Sequence, residues 1–278
     1  MIDFSDIINF ENYDQLIPLV INSIFAGALL ALIGGLVGVF VMHRELSFAV
    51  HGISEISFAG AAVFLLIGLD VVLGSLVGSL IAAAIIAFLG NKARDRNSIV
   101  GVLMPFGLGI GILALALYPG RAANKFGLLT GQIVAIDDPK LNSMILIALI
   151  VVAVLIVIWR PLSFASLDHE VAVARGVNAR ALGIVFLLLL GLAVAAAVQI
   201  VGALLVLALL VTPAAAALRL SSSQTMVPIL SVTFAMISML GGTLLALGGT
   251  LPISPYVTTI SFIIYLVARL VEKLRVKA

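Results

Sequence analysis

Leu141-Asn-Ser-Met-Ile-Leu-Ile-Ala-Leu-Ile-Val-Val-Ala-Val-Leu-Ile-Val-Ile-Trp159 holds no charged residue, and Lys140 and Arg160 close it at its two ends. At a helical rise of about 1.5 Å per residue the run is about 28 Å long, close to the hydrocarbon thickness of a bilayer. Membrane barrel strands are about ten residues long and alternate between apolar and polar. This run is continuous and longer, so it reads as a membrane-spanning helix.

The pattern recurs along the whole chain. Apolar runs cover 17–41, 47–68, 71–90, 98–118, 141–159, 181–199, 200–218, 226–248 and 253–271. Residues are 63% hydrophobic and 10% charged, with a mean hydropathy of +1.31. Soluble domains carry about 25% charged residues, so a soluble enzyme and a disordered chain are both excluded. The expected fold is all-α: a polytopic helical membrane protein, one transmembrane domain over 1–278. The stretch 181–218 is uncharged throughout and has Gly202 near its middle. It reads either as two short helices or as one crossing plus a re-entrant piece, giving nine or eight transmembrane helices.

The few charges set the orientation. On the nine-span reading Arg44, the cluster Lys92, Arg94 and Arg96, the 160–180 loop, Arg219 and the basic tail fall on one side, and the acidic arm with Asp3, Asp6, Glu11 and Asp14 falls on the other. Short cytoplasmic loops are enriched in Lys and Arg. The C-terminus is therefore expected in the cytoplasm and the N-terminus outside. Arg121, Lys125 and Lys140 sit outside against Asp137 and Asp138, a mild exception. The N-terminal arm lacks the basic start of a cleaved signal peptide. A net charge of +2 is too small to suggest a nucleic-acid partner, and without cysteine there is no disulfide framework or thiolate metal site. Gly27, Gly34, Gly35 and Gly38 in the first span, and Gly107, Gly109 and Gly111 in the fourth, suit close helix packing.

Glu55 is the one acid deep inside a span. A charge at the bilayer centre costs about 2.5–3.5 kcal/mol on insertion scales. His51 precedes it by one turn, so the two share a helix face. Ser54 lies beside them, and Gly52 and Gly60 leave room on the same helix. Imidazole and carboxylate at this spacing can bind one divalent first-row metal or form a proton relay. The pair supplies two donors, three with a bidentate carboxylate, whereas zinc and manganese take four to six ligands. A homodimer with its two-fold axis through a pore would double the set. Nitrogen and oxygen donors without thiolate suit Mn(II), Zn(II) or Fe(II).

The loop 160–182 contains Asp168, Glu170, Arg175 and Gly176 and reads as a short helix between two spans. Ser166 or Asp168 can cap its start, Gly176 suits the position after its end, and Asn178 can cap the next span. Such a helix is either an interfacial linker or a docking element for a cytoplasmic partner.

Four segments then carry a resemblance. Gln199-Ile-Val-Gly-Ala-Leu-Leu-Val-Leu-Ala-Leu-Leu-Val-Thr-Pro213-Ala-Ala-Ala-Ala217 closely resembles the signature of the ABC-3 family, the membrane permeases of bacterial ABC importers for zinc, manganese and iron. Arg44 to Gly60 resembles that family's second-helix motif. Leu167–Leu182 resembles its coupling helix, and Phe126–Ile136 its loop before the middle helix. The resemblance implies a type II importer-like permease in the bacterial cell membrane. It implies a homodimer, two copies of a separate cytoplasmic ATPase docked on the coupling helices through Asp168, Glu170, Arg175 and Gly176, and an extracytoplasmic metal-binding protein that delivers the ion. No cofactor is expected to be held permanently, since the metal is cargo. The chain carries no G-x-x-x-x-G-K-[ST] phosphate loop, so ATP hydrolysis is expected on a partner and the chain itself is not an enzyme. One departure stands out. The family's pattern places Asp and then His four residues apart on the second helix, and here His51 and Glu55 occupy those positions in exchanged order. A chelated metal or other organic substrate, and a proton-coupled secondary transporter, are the alternative readings.

Overall fold

The structure, a computed structural model, describes residues 13–90, 93–120, 136–248 and 252–277. Asp3, Asp6, Glu11, Lys92, Arg121, Lys125 and nearly all of the Phe126–Ile136 stretch lie outside them. Regular structure among the described residues is helical. Two short turns, Tyr13–Leu16 and Ile17–Val20, lead into α1 (Ile21–His43); then follow α2 (Ser47–Leu66), α3 (Val71–Leu89), α4 (Ala93–Leu117), α5 (Asp138–Leu167), α6 (His169–Ala174) and α7 (Ala179–Val201). After a 3-10 turn at Ala203–Leu205 come α8 (Val206–Leu210), α9 (Thr212–Leu220), α10 (Met226–Leu247) and α11 (Ile253–Lys277). Eight stretches among the described residues are long and apolar enough to cross a membrane, and 206–220 is a shorter apolar one.

The stretch 181–218 resolves into α7 followed by a fractured segment. Gly202 ends α7 in a backbone with φ +77°, a region that favours glycine. Pro213 falls in the first turn of α9, where its missing N–H leaves no intrahelical bond unmade within that helix. Broken helices at membrane depth persist when neighbours satisfy the freed carbonyls. Here α11 does so: Ser254 Oγ donates to Val201 O at 3.2 Å and Ser261 Oγ to Ala208 O at 2.9 Å. Further along, Arg219 pairs with Glu272, and Arg275 donates to Leu220 O. Contacts from 201 to 220 thus track α11 from Ser254 to Arg275, so the broken segment runs parallel to α11 over the same span. It behaves as a ninth traverse built of short pieces.

The traverses alternate between two ends of the bundle. One end gathers Arg44, Arg96 and Ser166, linked by Arg44–Ser166 and Arg96–Arg44 O hydrogen bonds of 3.5 and 3.4 Å. At the other end Asn22 donates to Asp138, and Tyr13 hydrogen-bonds the carbonyl of Leu244. Asp70 and Asp137 cap α3 and α5 at that end. Two acids of that end therefore have capping roles.

Packing follows the small residues. The α1 glycines split between two neighbours: a Cβ on Gly38 would stand 2.1 Å from Leu210 O of the broken segment, and one on Gly35 would stand 2.6 Å from Val232 Cα of α10. Ser231 Oγ locks the second contact by donating to Gly35 O at 2.7 Å.

Candidate functional site

Helix α2 carries the buried acid. Its α4-facing side places Gly52 on Val100, Phe58 on Gly111, and the Glu55 backbone on Gly107, where an added Cβ would lie 3.0 Å from the Glu55 carbonyl. Its other side meets α3 through Gly60, Gly74 and Gly78. The room expected beside the pair at Gly52 and Gly60 is therefore filled by Val100 and by the Gly74 carbonyl. These glycines seat neighbouring helices and do not hold space for cargo.

His51 and Glu55 do come together. Nδ1 of His51 lies 3.9 Å from Oε1 of Glu55; the His51 side chain is 29% exposed and that of Glu55 is 6% exposed. At this distance there is no direct hydrogen bond. His51 Nδ1 and Glu55 Oε2 are both buried without a hydrogen-bond partner. A buried charge is costly unless it is paired or ligates a cation, and these two atoms leave hydrogen-bonding and ligating capacity unused. Two donors bound to one ion at about 2.0–2.2 Å sit about 3–3.5 Å apart. A side-chain shift of under about 1 Å closes the gap.

Among the described residues no third donor completes the set. Ser54 Oγ is committed to His51 O at 2.8 Å, so its hydroxyl serves the helix backbone. No group of three or more His, Cys, Asp or Glu side chains that could hold a metal ion occurs among the described residues. His43 closes α1 half-buried, beside a small cavity that Trp159 also lines.

The second predicted site lies at the arginine-rich end. Residues 160–167 continue α5 through Pro161, so the loop is shorter than the sequence suggests, and Ser166 bonds back to Leu162 O inside the helix. Asp168 is the cap: it accepts from Val171 N at 3.0 Å. Helix α6 ends at Gly176, φ +81°, whose N–H meets Val173 O while Val177 N–H meets Ala172 O, a Schellman closure. Asn178 accepts from Ala181 N and starts α7. Glu170 lies in the first turn of α6, and Glu170 and Arg175 are exposed. Each end of α6 is thus closed by its own side chain or glycine, which fixes a short helix at the bundle surface.

Sequence reading missed two further features. Gln199 Nε2 is buried without a partner beside a cavity of about 370 Å³, which Asp70, Ser75 and Lys140 also line near the acid-capped end. At the opposite end Arg44, Arg96 and Arg180 surround a second cavity. Burial, and then the charge of Arg96, hold the Arg44 guanidinium below its ordinary value. A lone glutamine in an apolar run gives little warning of a cavity, because the cavity is assembled from four helices.

The sequence pattern of the ABC 3 transport family matches residues 16–272. The manganese transport system membrane protein MntC of Halalkalibacterium halodurans is 28% identical over 222 residues, covering 80% of this chain and 76% of its own. The high-affinity zinc uptake system membrane protein ZnuB of Haemophilus influenzae is 25% identical over 225 residues, covering 81% and 86%. In fold, the chain is similar to a chain of PsaBC from Streptococcus pneumoniae in complex with Fab, at a TM-score of 0.80 and 24% identity, over 90% of both chains.

Proposed function

Because this chain belongs to the ABC 3 transport family, we propose that it is the membrane permease of an ABC importer that carries a divalent transition metal ion into the cytoplasm. Manganese and zinc are the first candidates, from the cargoes named for its relatives, and Fe(II) satisfies the same donor chemistry. The observation that carries the reading is the buried His51/Glu55 pair, in which Nδ1 and Oε1 lie 3.9 Å apart and Nδ1 and Oε2 have no hydrogen-bond partner. The ion touches this pair in passing. Conduction requires a site that releases the ion as well as takes it, and one chain alone supplies only two donors. A second copy of the chain about a two-fold axis supplies the remaining donors.

The arginine-rich end faces the cytoplasm on the positive-inside rule, which places the N-terminus outside and α6 against the ATPase dimer. The chain needs that partner, since it carries no phosphate loop of its own. An extracytoplasmic metal-binding protein delivers the ion to the acid-capped end. The whole chain acts as one transmembrane domain, with 160–182 as its coupling region.

The test is elemental analysis of whole cells that express the chain with an ATPase subunit and a binding protein. Excess manganese, zinc or iron that disappears when the ATPase nucleotide site is inactivated supports the reading and names the ion. No metal excess from an intact, ATP-hydrolysing complex would move the reading to an organic or chelated substrate. The coupling role has its own test. Asp168→Asn keeps a capping oxygen, and Glu170→Lys reverses an exposed charge without touching the cap. Together they are expected to leave the permease folded and to reduce cargo-stimulated ATP hydrolysis several-fold. Unchanged stimulation would remove α6 from the ATPase contact.

A further inference from the structure

The cavity at the arginine-rich end has a chemistry that metal transit does not use. It holds about 560 Å³ and lies between the coupling region and the ends of α3 and α7. Arg44, Arg96 and Arg180 line it, and no acidic residue does among the described residues. Arg44 is held in place: it hydrogen-bonds Ser166 and lies 6.0 Å from the Phe186 ring centroid. Arg96 spends one donor on Arg44 O, and its Nε is buried with no partner. Glu45, on the α1–α2 turn, is close enough to Arg96 to interact with it electrostatically but does not line the cavity. Arg180 is exposed and has no hydrogen bond or ion pair among the described residues. A cluster of like charges with a buried unfilled donor is complementary to an anion.

The walls say which anion. Ala87, Ile184 and Leu187 line the cavity and belong to membrane-spanning helices, so its floor continues into the apolar layer. Beside it on α3, Phe88 and Leu89 are 58% and 63% exposed. A soluble anion has no use for an apolar floor, whereas a phospholipid places a phosphate at the arginines and its acyl chains along that floor. Basic pockets between helices on the cytoplasmic side are suited to anionic headgroups. We propose that this cavity binds the headgroup of an anionic phospholipid of the inner leaflet, which ties the coupling region to the ends of α3 and α7. The proposal does not depend on which cargo is carried.

The test uses the purified permease–ATPase complex in bilayer discs with equal amounts of phosphatidylglycerol and phosphatidylcholine, read by native mass spectrometry. Phosphatidylglycerol should be retained in preference. Arg96→Gln with Arg180→Gln should weaken that preference roughly fivefold per arginine, about 25-fold in all. Arg96→Lys with Arg180→Lys keeps the charge and should keep most of the preference, which guards against simple misfolding. Equal retention of the two lipids overturns the proposal, as does an unchanged preference in the glutamine variant. Displacement of the lipid by inorganic phosphate at about 10 mM would reassign the site to a free anion. Loss of the ATPase subunit with lipid preference intact would reassign the arginines to that partner.

Discussion

Cells that carry Glu55→Gln should take up no more metal than cells lacking the transporter, while the permease still folds and still co-purifies with its ATPase. The substitution keeps the shape of the side chain and removes the anionic donor. Removing the buried carboxylate charge also removes the desolvation it suffers, which offsets the loss of its loose 3.9 Å contact with His51. Transport should fall by about 100-fold or more, since replacing even the groups that orient metal ligands costs about 10–100-fold in affinity. His51→Ala should act in the same direction. The exchange variant His51→Asp with Glu55→His separates ligand chemistry from packing. It restores the carboxylate–imidazole order of the pattern that the second helix resembles, and it should recover measurable uptake where the single variants do not. Normal uptake in both Glu55→Gln and His51→Ala would remove the pair from the ion path.

The legible and illegible parts of this chain divide by physical range. A helix that must satisfy all its backbone groups inside lipid declares itself by length and hydropathy, so 141–159 and its counterparts were readable one at a time. The i, i+4 geometry of His51 and Glu55 is equally local and appears as expected. So do the caps at Asp168, Gly176 and Asn178, each set by the residue at one position. What failed to show depends on which helix lies next to which. Gly52 and Gly60 look like open space in the sequence and are occupied in the fold. The 200–218 run looks like a helix or a re-entrant piece. It becomes a broken traverse because Ser254 and Ser261, more than 50 positions away, accommodate its freed carbonyls. Arg44, Arg96 and Arg180 read as scattered positive-inside charges and only the fold gathers them around one cavity. One signal was present and overlooked: Gly74 and Gly78 form a G-x-x-x-G pair, the spacing at which membrane helices meet most closely.

That pair supplies the second large effect. Gly74→Leu should leave no stably folded permease, whereas Gly109→Leu should be nearly silent. At the crossing of α2 and α3 the backbones touch: a Cβ on Gly60 would fall 2.2 Å from Gly74 O, one on Gly74 would fall 2.5 Å from Gly60 O, and one on Gly78 would fall 2.4 Å from Ile56 O. The obstructing atoms are backbone, so no rotamer change can make way. In lipid, helix association rests on this packing, because the tails are as apolar as leucine and water drives nothing together. A leucine at 74 must push α3 away from α2 and forfeit the contacts along the crossing. Overpacking in ordered cores costs about 1–3 kcal/mol when neighbours can relax, and here they cannot. The alanine variant at 74 should give an intermediate loss. Beyond its own stretch of helix, no heavy atom of the described residues lies within 4 Å of a Cβ on Gly109, which stands on a helix with exposed neighbours, so a leucine there adds apolar surface without a clash among those residues. Thermal unfolding of the two variants in the same bilayer discs gives the comparison. The α2–α3 crossing also bears on the proposed ion site, because Gly60 stands on the helix that carries Glu55. Gly74→Ala, if it folds at lower stability, should therefore impair uptake more than its stability loss predicts. If Gly74→Leu instead unfolds at the wild-type temperature, the helices are held apart by more than the structure places between them, and the close seating of α2 on α3 is wrong.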